Sequence, residues 1–531
     1  MFFAIYSCEN PLTNFKTAVD SAIFDKNITI SILDPTNPER LYDNNNLKVT
    51  LLGDDAAKII SDGGSKTKFT IVDGIVQLAV NPNETNEDLS FLVKISGDNY
   101  LTTTIPVRVQ ESDTLVNISA NIVNISNPAD GISIKEVNQP LQGGSLTNLL
   151  SVKTDDAGFG ETTEVTIEKD TKFKDANGNI INVSGDLIVR VVNFDSQNNE
   201  SLNSFPGGFS PYEVALENGE INTEGSFSTA GFASIDMFVG GTEVKEFTKP
   251  ITVAMEIDRD VINPSTGQNI KSGDELPVWS YSKDDGKWVF HATTIVQEKN
   301  GKLISEYKTT HLSWYNLDYW IRGCDNYRRF DVKVTAPGID SNLSYRLVTN
   351  LVYAGTNQGV SYKASRSHDF YDGKSFGYYR TPNSNLEFVI YDGESTYNKG
   401  NEIYRSSSFN GCNSNQININ LDEFKSKIPA KSAVTNVNVN FSGICKGKTI
   451  KPSSYLYMKV SYNYRGRMYT SWKNVGYINR GKIKLYSITL NKEYEFRTYY
   501  RGSRINQKYT FTSDNVDLDN FQIPDNYCSN L

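Results

Sequence analysis

The sequence predicts an all-β protein, a multi-domain string of antiparallel β-sandwiches. Runs of β-branched and aromatic residues are cut by Gly, Asn and Asp turns, as in residues 89–95, 187–194, 331–334 and 436–441. The best helical patterns, residues 54–60 and 421–427, are too short to build a layer of helices. A chain of strands without a helical layer favours sheets packed on sheets.

Length and charge divide the chain into unlike halves. Its 531 residues allow several domains, each with its own core. The net charge of −9 is the sum of two unlike parts. Residues 324–531 contain 28 Lys and Arg against 17 Asp and Glu, and the remainder of the chain has a net charge of −20. Charged residues at 22% and aromatic residues at 11% argue against a largely disordered chain. No apolar run approaches the roughly twenty residues of a membrane-spanning helix.

The first eight residues are apolar up to Ser7 and Cys8, and the chain then turns polar. This pattern resembles the lipobox of a bacterial, Bacteroidetes-type surface lipoprotein, in which a small residue precedes the cysteine and an aliphatic residue, here Ile5, stands three before it. The resemblance implies that residues 1–8 are a signal remnant and that Cys8 is lipidated. It also implies an outer-membrane protein that is lipid-anchored and faces the cell exterior. The alternative is a buried cysteine in a first β-strand.

Residues 9–124 are predicted to form an Ig-like β-sandwich. The stretches 91–101 and 105–109 resemble the hairpin at the end of bacterial surface Ig-like or prealbumin-like modules, which supports the fold only.

Residues 125–320 are predicted to form a Trp-containing β-rich module. Four of the five tryptophans lie between residues 279 and 320, three of them in the segments 277–281, 286–288 and 310–318 and the fourth at Trp320. From about residue 150 to 320, this order resembles the β-rich module of cartilage intermediate layer protein and related bacterial cell-surface proteins. The resemblance implies an extracellular structural or adhesive role and carries over no catalytic residue.

The segments 321–430 and 431–531 are each predicted to be a β-sandwich tied by a disulfide. Four cysteines, Cys324, Cys412, Cys445 and Cys528, allow three pairings. Their spacing favours Cys324 with Cys412 and Cys445 with Cys528, since each bond would then join the start of a domain to its end. Disulfides imply an oxidising compartment. The matching patterns at 385–391 and 492–499 suggest that the two segments are a diverged duplication.

No catalytic residue, metal site or cofactor is predicted. The chain lacks a G-x-S-x-G elbow, an H-E-x-x-H motif and a phosphate-binding loop. We interpret His311, two residues before Ser313, as structural. The alternating oxygen side chains of residues 175–179 could bind calcium, but they fit a hairpin turn better.

The most basic region is the best lead to a ligand. Residues 424–508 contain 18 Lys and Arg and only two acidic residues, Glu493 and Glu495, interleaved with aromatic residues. Strand alternation over residues 455–462 places Leu456, Met458, Val460 and Tyr462 in the core and Tyr455, Tyr457, Lys459 and Ser461 toward solvent. The predicted ligand-binding surface comprises Tyr455, Tyr457, Lys459, Arg465, Arg467, Trp472, Lys473, Arg501 and Arg504.

Tyrosines beside cations suit stacking on sugars and pairing with anionic groups. We therefore predict a non-catalytic adhesion or glycan-binding protein, with the membrane and an anionic glycan or another surface protein as partners and no nucleic acid. Three alternatives remain for the basic face: an ordinary solvated sheet, lipopolysaccharide, or the acidic half of this or a neighbouring molecule. For the whole protein, the alternatives are a structural component of a surface complex or a polysaccharide-degrading enzyme.

Overall fold

The computed structural model confirms the all-β fold as a set of two-sheet sandwiches. It describes residues 18–522, except 21–23, 35–36, 42–45, 62–63, 85–86, 159, 183–184, 203, 210, 212, 223–224, 265, 267, 283–285, 325–328, 340–342, 356, 358, 361–365, 380, 394–398, 415, 429–434, 446–447, 465–466 and 501–502. The described helices are one α-helix, α1 (Asn199–Leu202), and the 3₁₀ segments Asp54–Lys58, Leu421–Glu423 and Lys425–Lys427. In the part of the chain that is described, no helix could span a bilayer.

The first sandwich packs two sheets around a core of aliphatic residues with Phe91. One sheet has the order β10-β2-β7-β5, with β3 on β2 and β6 on β7, and the other has the order β4-β8-β9. The strands up to residue 121 are β1 (Ala18–Asp20), β2 (Asn27–Asp34), β3 (Asn37–Leu41), β4 (Lys48–Leu52), β5 (Ile59–Ser61), β6 (Ile71–Val72), β7 (Ile75–Val80), β8 (Leu89–Ser96), β9 (Thr103–Val109) and β10 (Leu115–Asn121).

The second sandwich is the largest. Its sheets have the orders β11-β15-β18-β27-β23-β24-β16-β17, with β19 on β18, and β12-β13-β20-β26-β25, with β14 on β20. Its strands are β11 (Ile132–Gln139), β12 (Leu150–Lys153), β13 (Thr163–Ile167), β14 (Phe173–Lys174), β15 (Leu187–Phe194), β16 (Val214–Ala215), β17 (Ile221–Asn222), β18 (Gly225–Val239), β19 (Thr242–Glu243), β20 (Glu246–Ile257), β21 (Ile262–Asn263), β22 (Gln268–Asn269), β23 (Glu275–Ser282), β24 (Lys287–Ile295), β25 (Gln297–Lys299), β26 (Lys302–His311) and β27 (Trp314–Arg322).

The third sandwich has sheets of order β31-β28-β35 and β30-β29-β32-β33, with β34 on β32. Its strands are β28 (Arg329–Thr335), β29 (Tyr345–Tyr353), β30 (Arg366–Phe370), β31 (Ser375–Tyr379), β32 (Asn385–Tyr391), β33 (Glu402–Arg405), β34 (Phe409–Asn410) and β35 (Gln416–Asn420).

The fourth sandwich has one sheet in which β36 pairs with β40, β37 and β43, and another of order β39-β38-β41-β42. Its strands are β36 (Thr435–Cys445), β37 (Lys448–Lys451), β38 (Ser454–Tyr464), β39 (Arg467–Ile478), β40 (Lys482–Ile488), β41 (Glu493–Tyr500), β42 (Ser503–Thr510) and β43 (Asn515–Gln522).

The third and fourth sandwiches have the same topology. The sheet β31-β28-β35 corresponds to β40-β36-β43, and β30-β29-β32-β33 corresponds to β39-β38-β41-β42. In each sandwich the first and last strands pair in parallel. The strands that carry the matching sequence patterns, β32 and β41, occupy equivalent places, as a diverged duplication requires.

Successive sandwiches touch, and the last one also touches the first. The Tyr281 hydroxyl of the second donates to the Thr104 carbonyl oxygen of the first, at 2.9 Å. Ile321, at the end of the second, packs on the core of the third. Tyr371 of the third stacks on Tyr486 of the fourth. The strand β1 pairs in parallel with β37 of the fourth, although β1 precedes the first sandwich in sequence.

One predicted disulfide is confirmed and the other is not described. Cys324 and Cys412 are bonded, with their Cα atoms 5.0 Å apart. Their bond joins the segment before β28 to the segment before β35, and it therefore closes the third sandwich. Cys528 lies outside the described residues, as does Cys8, so the Cys445–Cys528 pair and the lipid anchor stay predictions.

Replacing Cys324 and Cys412 together by alanine should destabilise the third sandwich by up to about 5 kcal/mol, because the bond restricts an 88-residue loop in the unfolded chain. Urea unfolding with hydrogen exchange on the strands of that sandwich measures the loss. The Cys445→Ala/Cys528→Ala variant, studied in parallel, should weaken the fourth sandwich instead. Equal unfolding of the third sandwich in the first variant and the wild type would contradict the prediction.

Candidate functional site

The site begins at the tip of a hairpin in the first sandwich. The strands β6 and β7 are joined by the two residues Asp73 and Gly74, with Val72 opposite Ile75. Both turn residues have positive φ, 51° and 78°. A two-residue type I′ turn needs this conformation at both positions, which Asp-Gly tolerates well. The turn projects the Asp73 carboxylate away from its own sheet toward the fourth sandwich.

Three side chains of the fourth sandwich surround that carboxylate. Arg504 Nη1 lies 2.9 Å from Asp73 Oδ1, and Arg497 Nη1 lies 3.4 Å from Asp73 Oδ2. The Tyr499 hydroxyl donates to Asp73 Oδ2 at 3.3 Å. The side chains of Asp73 and Arg497 are each only 11% exposed, so this pair is largely shielded from solvent and salt. The contact is an ion pair between the acidic and the basic halves of the chain.

An aromatic ring holds the central guanidinium in place. Arg497 Cζ lies 3.9 Å from the centre of the Trp472 ring, a short cation–π distance. Trp472 is on β39 and Arg497 on β41, the two strands that flank β38. The strands of the fourth sandwich therefore orient the arginine through a contact that does not involve the hairpin.

The predicted exposure of Tyr455 and Tyr457 is wrong. Both side chains are buried, at 8% and 1% exposure, in a cluster with Ile75 and Tyr499. The alternation itself holds, because Leu456 on the opposite face lies in the core of the fourth sandwich. The hairpin of the first sandwich covers the other face. Burial also raises the pKa of Tyr455 to about 12.

The other predicted ligand residues differ in exposure and in contacts. Lys459 is exposed, pairs with Glu495 at 3.0 Å, and lies 5.9 Å from the Trp472 ring centre. Lys473 is half-buried on β39, opposite Met458. Arg467 begins β39, but its side chain is not described; Arg465 and Arg501 lie outside the described residues.

Sequence reasoning missed Asp73, Arg497 and Tyr499 as parts of one site. Arg497 and Tyr499 lie in the basic, aromatic region of residues 424–508, but outside the strand of residues 455–462 whose alternation predicts exposure. Asp73-Gly74, between two apolar runs, is the signal of a tight hairpin. Nothing local in the sequence indicates that this tip meets a domain more than four hundred residues away.

His311 does not activate Ser313. The Ser313 hydroxyl donates to the Tyr281 carbonyl oxygen at 2.6 Å. His311 Nδ1 lies 3.4 Å from Thr309 Oγ1, and its ring centre lies 5.5 Å from that of His291. Burial, followed by the proximity of His291, lowers the pKa of His311. The contacts of Ser313 and His311 fit the structural interpretation of this segment.

The tryptophans of the second sandwich form part of a second core. Trp279, Trp288 and Trp314 are buried with Phe205, Phe227 and residues of the first sandwich, including Leu101. The indole nitrogen of Trp288 donates to the Pro206 carbonyl oxygen at 3.1 Å. The Trp-rich segments therefore attach the second sandwich to the first.

Carboxylate groups in the second sandwich serve local structure. Asp175 Oδ1 accepts from the backbone nitrogens of Asn177 and Asn179, both at 2.9 Å, and so forms the predicted hairpin turn. Glu161 accepts from the backbone nitrogen of Ser196 at 2.9 Å, and its pKa is raised by burial and by nearby Asp195. Among the described residues, no group of three or more His, Cys, Asp or Glu is arranged to hold a metal ion.

Comparison with known proteins assigns no family. No family model matches the chain, and no curated protein is significantly similar to it. The solved structures that it resembles include a streptococcal ancillary pilin, at 10% identity over 46% of this chain and 93% of that one, with a TM-score of 0.12. They also include BcpA, the major pilin subunit of Bacillus cereus, at 9% identity over 74% and 98%, with a TM-score of 0.14. The Bacillus anthracis TIE protein is 9% identical over 75% of each chain, with a TM-score of 0.12. Similarities with TM-scores this low support no conclusion about the role of this chain.

Asp73 and Arg497 should show strong energetic coupling. Asp73→Asn or Arg497→Gln alone should weaken the contact by about 2–3 kcal/mol, since either change leaves a shielded charge without its full partner. The double variant should lose less of the contact free energy than the sum of the losses in the two single variants. Limited proteolysis of the connections between the sandwiches, under conditions in which the rate follows the open population, measures the opening free energy. Arg259→Gln, which breaks an exposed pair with Glu298, is the control and should cost below about 1 kcal/mol. Additive losses in the double variant would refute the coupling.

Acid should weaken the third sandwich through His368. Its ring stacks on Phe376, and burial, aided by nearby Arg366, lowers its pKa to about 3. The unfolded chain therefore binds the extra proton first, and stability falls as the pH drops below about 6.5 toward 3. Between pH 7 and pH 5, the His368→Phe variant should lose about 2 kcal/mol less free energy of unfolding than the wild type, measured by urea unfolding. An unchanged pH dependence in this variant would contradict the assignment.

Proposed function

We propose that this protein is a non-catalytic structural protein of the bacterial cell surface, lipid-anchored at Cys8, whose four sandwiches are held as one closed unit. The observation that carries the proposal is the covering of the basic, aromatic face of the fourth sandwich by the first. Tyr455, Tyr457 and Tyr499 contact the hairpin that contains Asp73 and Ile75. Four of the nine residues predicted to bind a ligand, Tyr455, Tyr457, Trp472 and Arg504, thus serve a contact within the chain.

The lipid anchor and the surface location rest on the lipobox resemblance and on the disulfide. The Cys324–Cys412 bond fits an exported protein, because cytosolic thiols are normally kept reduced. A surface protein also benefits from a closed arrangement, since contacts between domains limit the access of proteases to the connections between them.

Adhesion to an anionic glycan is the second candidate. It is favoured by lysines at the junction of the third and fourth sandwiches that have no carboxylate partner in the described part of the chain. A polysaccharide-degrading enzyme is the weakest candidate, because the best hydrolase-like pair, His311 and Ser313, is engaged in other contacts.

The proposal predicts a lipidated protein that resists proteolysis on intact cells. Expressed from its native reading frame in a Gram-negative host, the wild type should incorporate labelled palmitate, and Cys8→Ala should not. Asp73→Arg should be cleaved between sandwiches by added trypsin at least tenfold faster than the wild type, because it places a third cation beside Arg497 and Arg504. Glu298→Arg, in an exposed pair of the second sandwich, is the control.

Two results would contradict the proposal. A wild type that incorporates no palmitate, together with an Asp73→Arg variant that trypsin cleaves only after the cells are lysed, removes the surface role. Equal cleavage of the Asp73→Arg and Glu298→Arg proteins removes the closed arrangement.

A further inference from the structure

A second basic, aromatic surface lies where the third and fourth sandwiches meet. Tyr371, just before β31, stacks on Tyr486 of β40, with ring centres 5.0 Å apart and planes at 11°. Their hydroxyl oxygens are 2.9 Å apart. Both rings are half-buried, so the stack reaches the surface. An aromatic pair with polar edges at a domain junction is a suitable platform for a sugar chain.

Two lysines flank this stack. Lys374 Nζ lies 5.5 Å from the Tyr371 ring centre and 5.8 Å from that of Tyr486. Lys484 Nζ lies 5.5 Å and 5.6 Å from the same two centres. Neither lysine pairs with a carboxylate among the residues that the structure describes, whereas Lys459 and Lys508 each do. Two uncompensated ammonium groups are therefore held beside one aromatic pair.

The outer face of the fourth sandwich extends this surface with amide groups. The register of β43, β36 and β40 places Asn515, Asn438 and Lys484 in one row across three strands. The next row contains Asp517, Asn440 and Lys482. All six residues are exposed. Each row spans roughly 10 Å, two strand spacings, which matches the length of a disaccharide better than that of a small ion.

The carboxylates near this surface are already engaged. Asp369 accepts from Ser487 at 2.9 Å and pairs with Arg346 at 3.3 Å. Asp372 accepts from the backbone nitrogen of Ala336 at 2.7 Å. Asp517 accepts from the Asn440 amide at 2.7 Å. Asp369 thus pairs with an arginine, and in the described part of the chain none of the three carboxylates pairs with Lys374, Lys482 or Lys484, so these ammonium groups can take an external anion.

We infer that this junction surface binds an anionic polysaccharide, with Lys374 and Lys484 pairing with carboxylate or sulfate groups on successive sugars. Asn438 Nδ2 donates one hydrogen to Asn515 Oδ1 and Asn515 Nδ2 donates one to Asp514 Oδ1, both at 3.0 Å. The second N–H of each amide hydrogen-bonds to a sugar hydroxyl, and the sugars pack on the tyrosine pair. The inference rests on the adhesive candidate of the proposed function and gives it a site. That site is separate from the face that the first sandwich covers.

The test uses the whole protein and three polymers: polygalacturonate as the carboxylated probe, dextran sulfate as the sulfated probe and dextran as the neutral one. The wild type should bind one or both anionic polymers at physiological salt and should not bind dextran. Lys374→Gln/Lys484→Gln should lower the affinity about tenfold for each lysine, since each charge-assisted hydrogen bond is worth roughly that factor. Lys66→Gln/Lys68→Gln removes two exposed charges from the first sandwich and should bind like the wild type.

The outcomes separate the site from the function. If the wild type binds neither anionic polymer, both the inference and the adhesive candidate fail. If it binds and the Lys374→Gln/Lys484→Gln variant binds equally well, only the junction site fails. Equal losses in both double variants would show that net charge alone controls binding and would overturn the assignment. Thermal unfolding of each variant checks that the third and fourth sandwiches remain folded.

Discussion

The arrangement of this protein depends on one carboxylate between two guanidinium groups. Asp73 reaches Arg504 and Arg497 at 2.9 and 3.4 Å because a two-residue turn presents it and a tryptophan holds Arg497 from behind. Without that pairing, a largely buried arginine would face the apolar hairpin without a partner, and desolvation would oppose the contact. With it, the apolar surface of Ile75 and the tyrosines can be buried together. The ion pair thus permits the hydrophobic contact that it borders.

This contact gives the charge asymmetry of the sequence a physical meaning. The net charge of −9 is the sum of an acidic and a basic half, and the two halves meet in one molecule at Asp73. Other positive charges of the basic half lie away from that contact. Lys374 and Lys484 lie at another junction, beside a tyrosine pair, and neither lysine has a carboxylate partner within the described residues. The basic half of the chain therefore contributes to two surfaces, one covered by the first sandwich and one open to solvent.

Local pattern predicted the fold well and the site only in part. Strand runs such as residues 187–194 were identified because β-branched and aromatic residues mark strands directly. Alternation correctly separated Leu456 from Tyr455. It could not tell which of the two faces meets solvent, because a second core can cover either one. The Cys324–Cys412 bond was predictable from spacing, since a disulfide that closes a domain joins its ends. The meeting of Asp73 with Arg497 was not, because long-range pairing leaves no periodic signal.

The distance between the first and fourth sandwiches tests the closed arrangement most directly. Spin labels introduced as unnatural amino acids at Lys68 and Lys508, both exposed, allow that distance to be measured by double electron–electron resonance in the full chain. We expect a single narrow distance distribution for the otherwise native protein, and a broad one shifted to longer distances when Asp73 is changed to arginine. A broad distribution in the otherwise native protein, or an identical narrow one in the arginine variant, would contradict the account.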